Sequence, residues 1–129
     1  MDLTKAERDL TSFFAEQLDL ELDSEIFRGQ IPAGQNGIAV RIDSMIDADR
    51  SEPVTCNVQL IGKFPDRDDG LSFVGNVSLI VPCWNVQLEH VCVKSLFFRG
   101  SGTVYPDTDA GVVKNFVSVN LVAVLTDLS

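Results

Sequence analysis

Val54-Thr55-Cys56-Asn57-Val58-Gln59-Leu60 alternates without a break between apolar and polar side chains. Successive side chains of a strand point to opposite faces, so Val54, Cys56, Val58 and Leu60 share a core face. Thr55, Asn57 and Gln59 share the other, which is wet or covered. A second run repeats the pattern at Val117, Val119, Leu121, Ala123 and Leu125. Strands of this kind belong to a sheet that buries one face, with apolar elements laid on that side.

Upstream, the period changes to that of a helix. Leu3, Ala6, Leu10, Phe13, Phe14 and Leu18 recur at spacings of three and four, and Lys5, Glu7, Arg8, Asp9 and Glu16 fall on the remaining face. Thr4-Lys5-Ala6-Glu7 has the form of a capping box and predicts a helix from there to about Asp19. Leu18 to Asp23 then alternates, and Glu25 to Ile31 continues as a possible strand before Pro32. Ala33 to Gly37 reads as a turn, Ile38 to Ile42 as a strand, and Ile46 to Pro53 as an acidic loop.

Downstream of Leu60, the stretch from Gly62 to Gly70 is a charged connection in which Asp66, Asp68 or Asp69 can cap a helix. Leu71, Val74, Val77 and Val81 predict that helix, although Gly75 weakens its intrinsic preference. The remainder reads as β. Val86 to Phe98 is rich in Val, Leu and Phe, Arg99 to Gly102 breaks it, and Tyr105 to Gly111 reads as a loop of Pro, Asp and Gly. The chain is thus expected to be a single α+β domain over residues 1–129. Its sheet should be mixed but mostly antiparallel, with an N-terminal and a central helix packed against it.

Composition bounds the function. With 45% hydrophobic and 22% charged residues, the chain can bury a core. No apolar stretch approaches the roughly 20 residues of a membrane span, and Met1-Asp2-Leu3-Thr4-Lys5 does not read as a secretory signal. Cys56, Cys83 and Cys92 are too few and too odd in number for a disulfide scaffold, so free thiols are expected. The net charge of −9 argues against gripping a phosphate backbone.

Candidate chemistry is sparse. His90 is the sole histidine, so any Ser-His-Asp or Cys-His site must use it, and its place among apolar residues reads as structural. A zinc site would join it to Cys83, Cys92 and Cys56, yet no paired Cys-x-x-Cys spacing is present. Asp66-Arg67-Asp68-Asp69-Gly70 invites calcium, but an EF-hand started there would place Leu71 and Val77 where a glycine and a bidentate glutamate belong. Neither Gly34-Gln35-Asn36-Gly37 nor Gly100-Ser101-Gly102 carries the lysine of a phosphate loop. The acidic pairs Asp107 with Asp109 and Glu21 with Asp23 lack the aromatic surroundings of a sugar site. No catalytic, cofactor or metal site is therefore expected. The chain is accordingly expected to act by binding other proteins. Trp84, Phe97, Phe98 and Tyr105 sit beside turns, where large side chains serve as anchors. The segment from Arg99 to Asn115 is expected to be an assembly loop, with Arg99, Val104, Tyr105, Asp107, Asp109 and Asn115 as its interface residues.

The order of elements resembles a known group. It runs from the N-terminal helix to a strand ending near Gly29-Gln30-Ile31-Pro32, then to the alternating strand at 54–60 and a central helix. It ends with Tyr105-Pro106-Asp107-Thr108-Asp109-Ala110-Gly111 leading to Asn115-Phe116-Val117-Ser118-Val119. Over nearly the whole chain this is similar to the tail terminator and minor capsid proteins of long-tailed bacteriophages. The central helix departs from that pattern in carrying Gly75 and in lacking alanine. The resemblance implies a non-enzymatic virion assembly protein of tail and neck, made in the bacterial cytoplasm. It would close into a homo-oligomeric ring, commonly of six, that stops growth of the tail tube and joins tail to head. Its partners would be the tube protein and a neck or head-completion protein. DNA would pass through the lumen without specific contact, which an acidic lining favours. A head-closure or tube subunit is the nearest alternative, and a small ligand-binding domain or enzyme is a more distant one.

Overall fold

The computed structural model describes residues 1–46, 53–100 and 102–128. Its elements follow in the order α1 (Leu3–Leu18), β1 (Ile26–Arg28), β2 (Gly37–Met45), β3 (Val54–Phe64), α2 (Arg67–Ser78), β4 (Cys83–Gln87), β5 (Val91–Phe98), β6 (Thr103–Asp109) and β7 (Val112–Asp127). The strands among the described residues form one seven-stranded sheet in the order β1-β2-β3-β7-β5-β4, with β6 paired to β7. Only the β1–β2 pair is parallel. The fold is α+β, as the patterning predicts, and the expected loop at 46–53 lies largely outside the described residues.

The two alternating runs are adjacent. β3 pairs antiparallel with β7, Val58 opposite Leu121 and Leu60 opposite Val119. Along its other edge β7 has two partners in succession, β6 over residues 112–118 and β5 over residues 121–127. Val54, Cys56, Val58 and Leu60 of β3 are buried together with Val117, Val119, Leu121, Ala123 and Leu125 of β7. Onto this face α1 lays Ala6, Leu10, Phe13 and Phe14, and α2 lays Phe73 and Val77. Both helices therefore lie on one side of the sheet.

Several local expectations need correction. α1 starts a residue before Thr4 because the Asp2 carboxylate accepts from the Thr4 and Lys5 amides, so Asp2, not Thr4, is the cap. Glu7 does not close a capping box. Its carboxylate takes the Arg28 Nε at 2.8 Å and the Ile42 amide at 2.9 Å, which ties the helix to β1 and to the bulged part of β2. Asp9, assigned to the wet face, is buried. The alternating run after Leu18 forms no strand: Asp19 ends the helix at φ 54°, and Leu22 makes only an isolated bridge to Ile26.

α2 begins earlier than its apolar spacing predicts, because Asp66 caps it. Phe73 and Val77 then point inward, and Leu71 is exposed. The β-rich stretch from Val86 breaks at Leu88–His90 into the hairpin of β4 and β5, where the Leu88 amide donates to the Val91 carbonyl. Tyr105 to Gly111 is no loop: Thr103 to Asp109 is strand β6, and only Ala110 and Gly111, both at positive φ, make the turn into β7. Pro106 is compatible with a strand here because β6 is an edge, where a missing amide costs no ladder bond.

Candidate functional site

With both helices on one side, the opposite side of the sheet has no covering layer over β3, β5 and the middle of β7 among the described residues. Strand parity places Thr55, Asn57, Gln59 and Ile61 of β3 on it beside Phe116, Ser118, Asn120, Val122 and Val124 of β7. Hydrogen bonds knit its middle. Gln59 donates to the Ser118 hydroxyl at 2.9 Å, Asn57 donates to the Ser44 hydroxyl at 2.9 Å, and the Arg99 guanidinium donates to the Asn57 amide oxygen.

Aromatic rings flank this polar centre. Trp84 on β4 meets Phe97 on β5 edge to face, with centroids 5.6 Å apart. Tyr105 on β6 stacks on its cross-strand partner Phe116, with centroids at 5.9 Å and planes at 20°. Trp84, Phe97 and Tyr105 are exposed. An uncovered sheet face that displays aromatic rings around satisfied polar groups has the make-up of a protein-contact surface.

One corner of the face is closed. The connection from β1 to β2 is held over it by Lys63, Lys114 and Asp109, three side chains that are all largely shielded from solvent. Asp109 accepts from the Lys63 ammonium at 2.9 Å and from the Gly34 amide at 3.1 Å. Lys114 reaches the Asn36 side-chain oxygen at 2.7 Å and lies 3.7 Å from the same aspartate. Hydrogen bonding and charge from Lys63, helped by Gly34 and Lys114, hold the Asp109 carboxyl below the usual carboxylate range despite partial burial. Lys63 and Lys114 thus share the Asp109 carboxylate, and Asp107 lies directly across the strand pair from Lys114.

The interface residues expected from sequence are thereby separated. Tyr105 and Arg99 lie on the uncovered face. Val104 faces the helices instead, half buried and close to Gly70 and Val117. Asp109 is consumed by the lysines. Asp107 is exposed opposite Lys114, and Asn115 donates weakly to the Pro65 carbonyl at 3.4 Å. Among the expected anchors, Trp84 and Phe97 share the uncovered face, whereas Phe98 pairs with Leu121 and belongs to the helix side.

A second locus surrounds His90. The buried Asp9 carboxylate accepts from the His90 amide at 2.6 Å, from the Val91 amide at 3.1 Å and from the His90 Nδ1 at 2.9 Å. With a carboxylate as its acceptor Nδ1 is the donor, and Nε2 lies 3.8 Å from a Glu89 oxygen. The ring borders a cleft of about 490 Å³ that Arg8, Ser12, Asp23 and Arg28 also line. Donor atoms of Asp9, Glu89 and His90 lie within 4.8 Å of one another, a grouping in which the three cysteines take no part. Both Asp9 oxygens are already engaged by N–H groups, so Asp9 orients the histidine rather than offering itself as a ligand. Sequence reasoning missed Asp9, Lys63 and Lys114. Only the position of two lysines inside otherwise β-forming runs hints at the last two.

No protein-family model matches the chain, and no curated protein matches it in sequence.

Proposed function

We propose that this chain is a virion assembly subunit of the tail terminator kind. It would assemble into a ring at the head-proximal end of a phage tail tube, stop tube growth and join tail to head. The observation that carries the proposal is the uncovered sheet face with Trp84, Phe97, Tyr105 and Phe116 set around a satisfied polar centre. A rigid sheet with its aromatic residues outward offers area for protein contact at little conformational cost. The strong negative charge supports a ring through which DNA slides, since a duplex would not adhere to an acidic lining.

The test is assembly. Native mass spectrometry and sedimentation of the purified chain should show a closed oligomer, alone or on addition of tube protein. Tubes grown with the chain present should be capped and uniform in length by electron microscopy. A chain that stays monomeric and leaves tube length unchanged would rule the role out.

A small ligand-binding or catalytic domain is the second reading, favoured by the Asp9-oriented His90 beside its cleft. An imidazole held in place by a carboxylate at Nδ1 has the form of a general acid or base. An activity that survives His90→Ala would exclude that chemistry.

A further inference from the structure

His90 is held at its main chain and at one edge of its ring. With Glu89 it forms the tip of the β4–β5 hairpin, between the strands that end at Gln87 and begin at Val91. Its amide and its Nδ1 both donate to the buried Asp9 carboxylate, and its carbonyl accepts from the Leu128 amide at 3.0 Å. The position and the rotation of the ring are therefore both set. Its other nitrogen, Nε2, has a Glu89 carboxylate oxygen as its neighbour at 3.8 Å. A carboxylate that anchors Nδ1 is what sets the tautomer and direction of a metal-binding imidazole, because it keeps the proton on Nδ1 and makes Nε2 the coordinating atom.

The Nε2 and Glu89 pair has nearly the span that an ion needs. Zinc bonds imidazole nitrogen and carboxylate oxygen at roughly 2.0–2.2 Å, so two such ligands on a tetrahedral ion stand about 3.4 Å apart. The 3.8 Å separation has only to close by a few tenths of an ångström, and the Glu89 side chain, 82% exposed, has the room to do so. Charge favours a cation as well. Two clefts of about 490 and 300 Å³ flank the ring, and Glu89 and His90 line both. Around them the carboxylates of Asp2, Asp9, Asp23, Glu89 and Asp127 outnumber Lys5, Arg8 and Arg28, and Arg28 is already paired with Glu7. Among the described residues, Asp9, Glu89 and His90 are the one trio of His, Cys, Asp or Glu side chains whose donor atoms lie within 4.8 Å of one another.

We propose that His90 Nε2 and the Glu89 carboxylate form a binding site for a zinc-class divalent ion, with Asp9 as the partner that orients the imidazole. The imidazole selects zinc and similar transition metals over magnesium and calcium, which take oxygen ligands almost alone. Two protein ligands leave the other positions open toward the clefts, so the ion would be exchangeable and within reach of a small ligand. An ion on Nε2 would occupy the atom through which His90 could move a proton, so zinc should suppress acid–base chemistry there. The site is independent of the assembly role.

Zinc titrated into the untagged chain tests the proposal. Because His90 is the sole histidine, its ring gives one set of nitrogen signals in an NMR spectrum. Zinc should move the Nε2 signal and leave Nδ1 protonated, and calorimetry should count one ion per chain that is lost in His90→Gln. Magnesium at the same concentration should leave the ring unchanged. Glu89→Gln, at an exposed side chain, should weaken zinc binding about tenfold or more. Circular dichroism melting confirms that both variants fold. A ring that zinc does not perturb overturns the site. Zinc binding that survives His90→Gln undiminished overturns it too, since the ion would then sit on the thiols or on scattered carboxylates. Binding by Glu89→Gln as tight as by the unmodified chain would leave a lone imidazole and no built site. None of these results touches ring assembly, which sedimentation reads separately.

Discussion

The Asp9 carboxylate in the second turn of α1 binds His90 twice, once at its ring and once at its main-chain amide, across 81 residues of sequence. Together with Glu7, which binds Arg28 and the Ile42 amide, it fastens α1 to the sheet on both flanks. Removing the Asp9 side chain would strand the buried Val91 amide and the His90 amide. Asp9→Ala should therefore lower stability by about 2–4 kcal/mol. His90→Ala, which keeps both amide bonds, should cost under about 1 kcal/mol. Urea unfolding of both variants measures the difference. Equal losses would mean that the ring, not the main chain, is what Asp9 holds.

Val58 is 1% exposed, opposite Leu121 and inside the apolar layer, whereas its neighbour Gln59 faces outward and binds Ser118. A carboxylate at position 58 would be buried with no partner. Val58→Asp should cost about 3 kcal/mol or more, and Gln59→Asp about 1 kcal/mol. Thermal melts of the pair check this, and similar losses would contradict the assignment of faces on β3.

Asp109 gives the fold an acid-sensitive tie. Its carboxyl titrates below the ordinary value of 3.8 in the folded chain, chiefly through Lys63, so the carboxylate favours folding at pH values above that value. The contribution is lost as pH falls through the lowered folded-state pKa. The melting-temperature gap between the unmodified chain and Asp109→Asn should be constant from pH 5 to 7 and shrink on further acidification. A gap that widens in acid would show that the lysines do not stabilise the charged form.

Burial pushes the Cys56 thiol up to about 11 and also raises that of the half-buried Cys83. The thiolate is the reactive form, so Cys56 should resist a thiol-specific disulfide reagent at pH 8 until the chain is unfolded. Mass spectrometry of the labelled peptides reads this out. Modification of Cys56 in the native chain at the rate of a free thiol would contradict its burial.

The parts of this fold visible in sequence are those where one physical requirement dominates. β3 and β7 each bury one face completely, so their alternation is unbroken from Val54 to Leu60 and from Val117 to Leu125. α1 shows its stripe for the same reason. β6 was hidden because it is an edge strand that tolerates Pro106 and sets aspartates at both Asp107 and Asp109, a composition shared with loops. The ties through Glu7, Asp9, Lys63 and Lys114 were illegible because each joins segments far apart in the chain, and local periodicity carries nothing about such partners. The aromatic surface was half legible: Trp84, Phe97 and Tyr105 stood out by size, but only the pairing register shows that they share a face and that Phe98 and Val104 do not.

The place of β7 in the sheet also sets the order of events in folding. It is the last strand in the sequence, yet it is the seam between β1-β2-β3 on one side and β4-β5 on the other. Until residues 112–127 dock, those two groups are half-sheets whose inner edges, β3 and β5, have no partner. Closing the seam requires contacts between residues such as Val54 and Leu125, distant in sequence, so the chain should fold in milliseconds to seconds rather than microseconds. During that interval the bare edges of β3 and β5 are open to strands of other molecules, which makes dilution or rapid delivery of the last strand the condition for clean refolding.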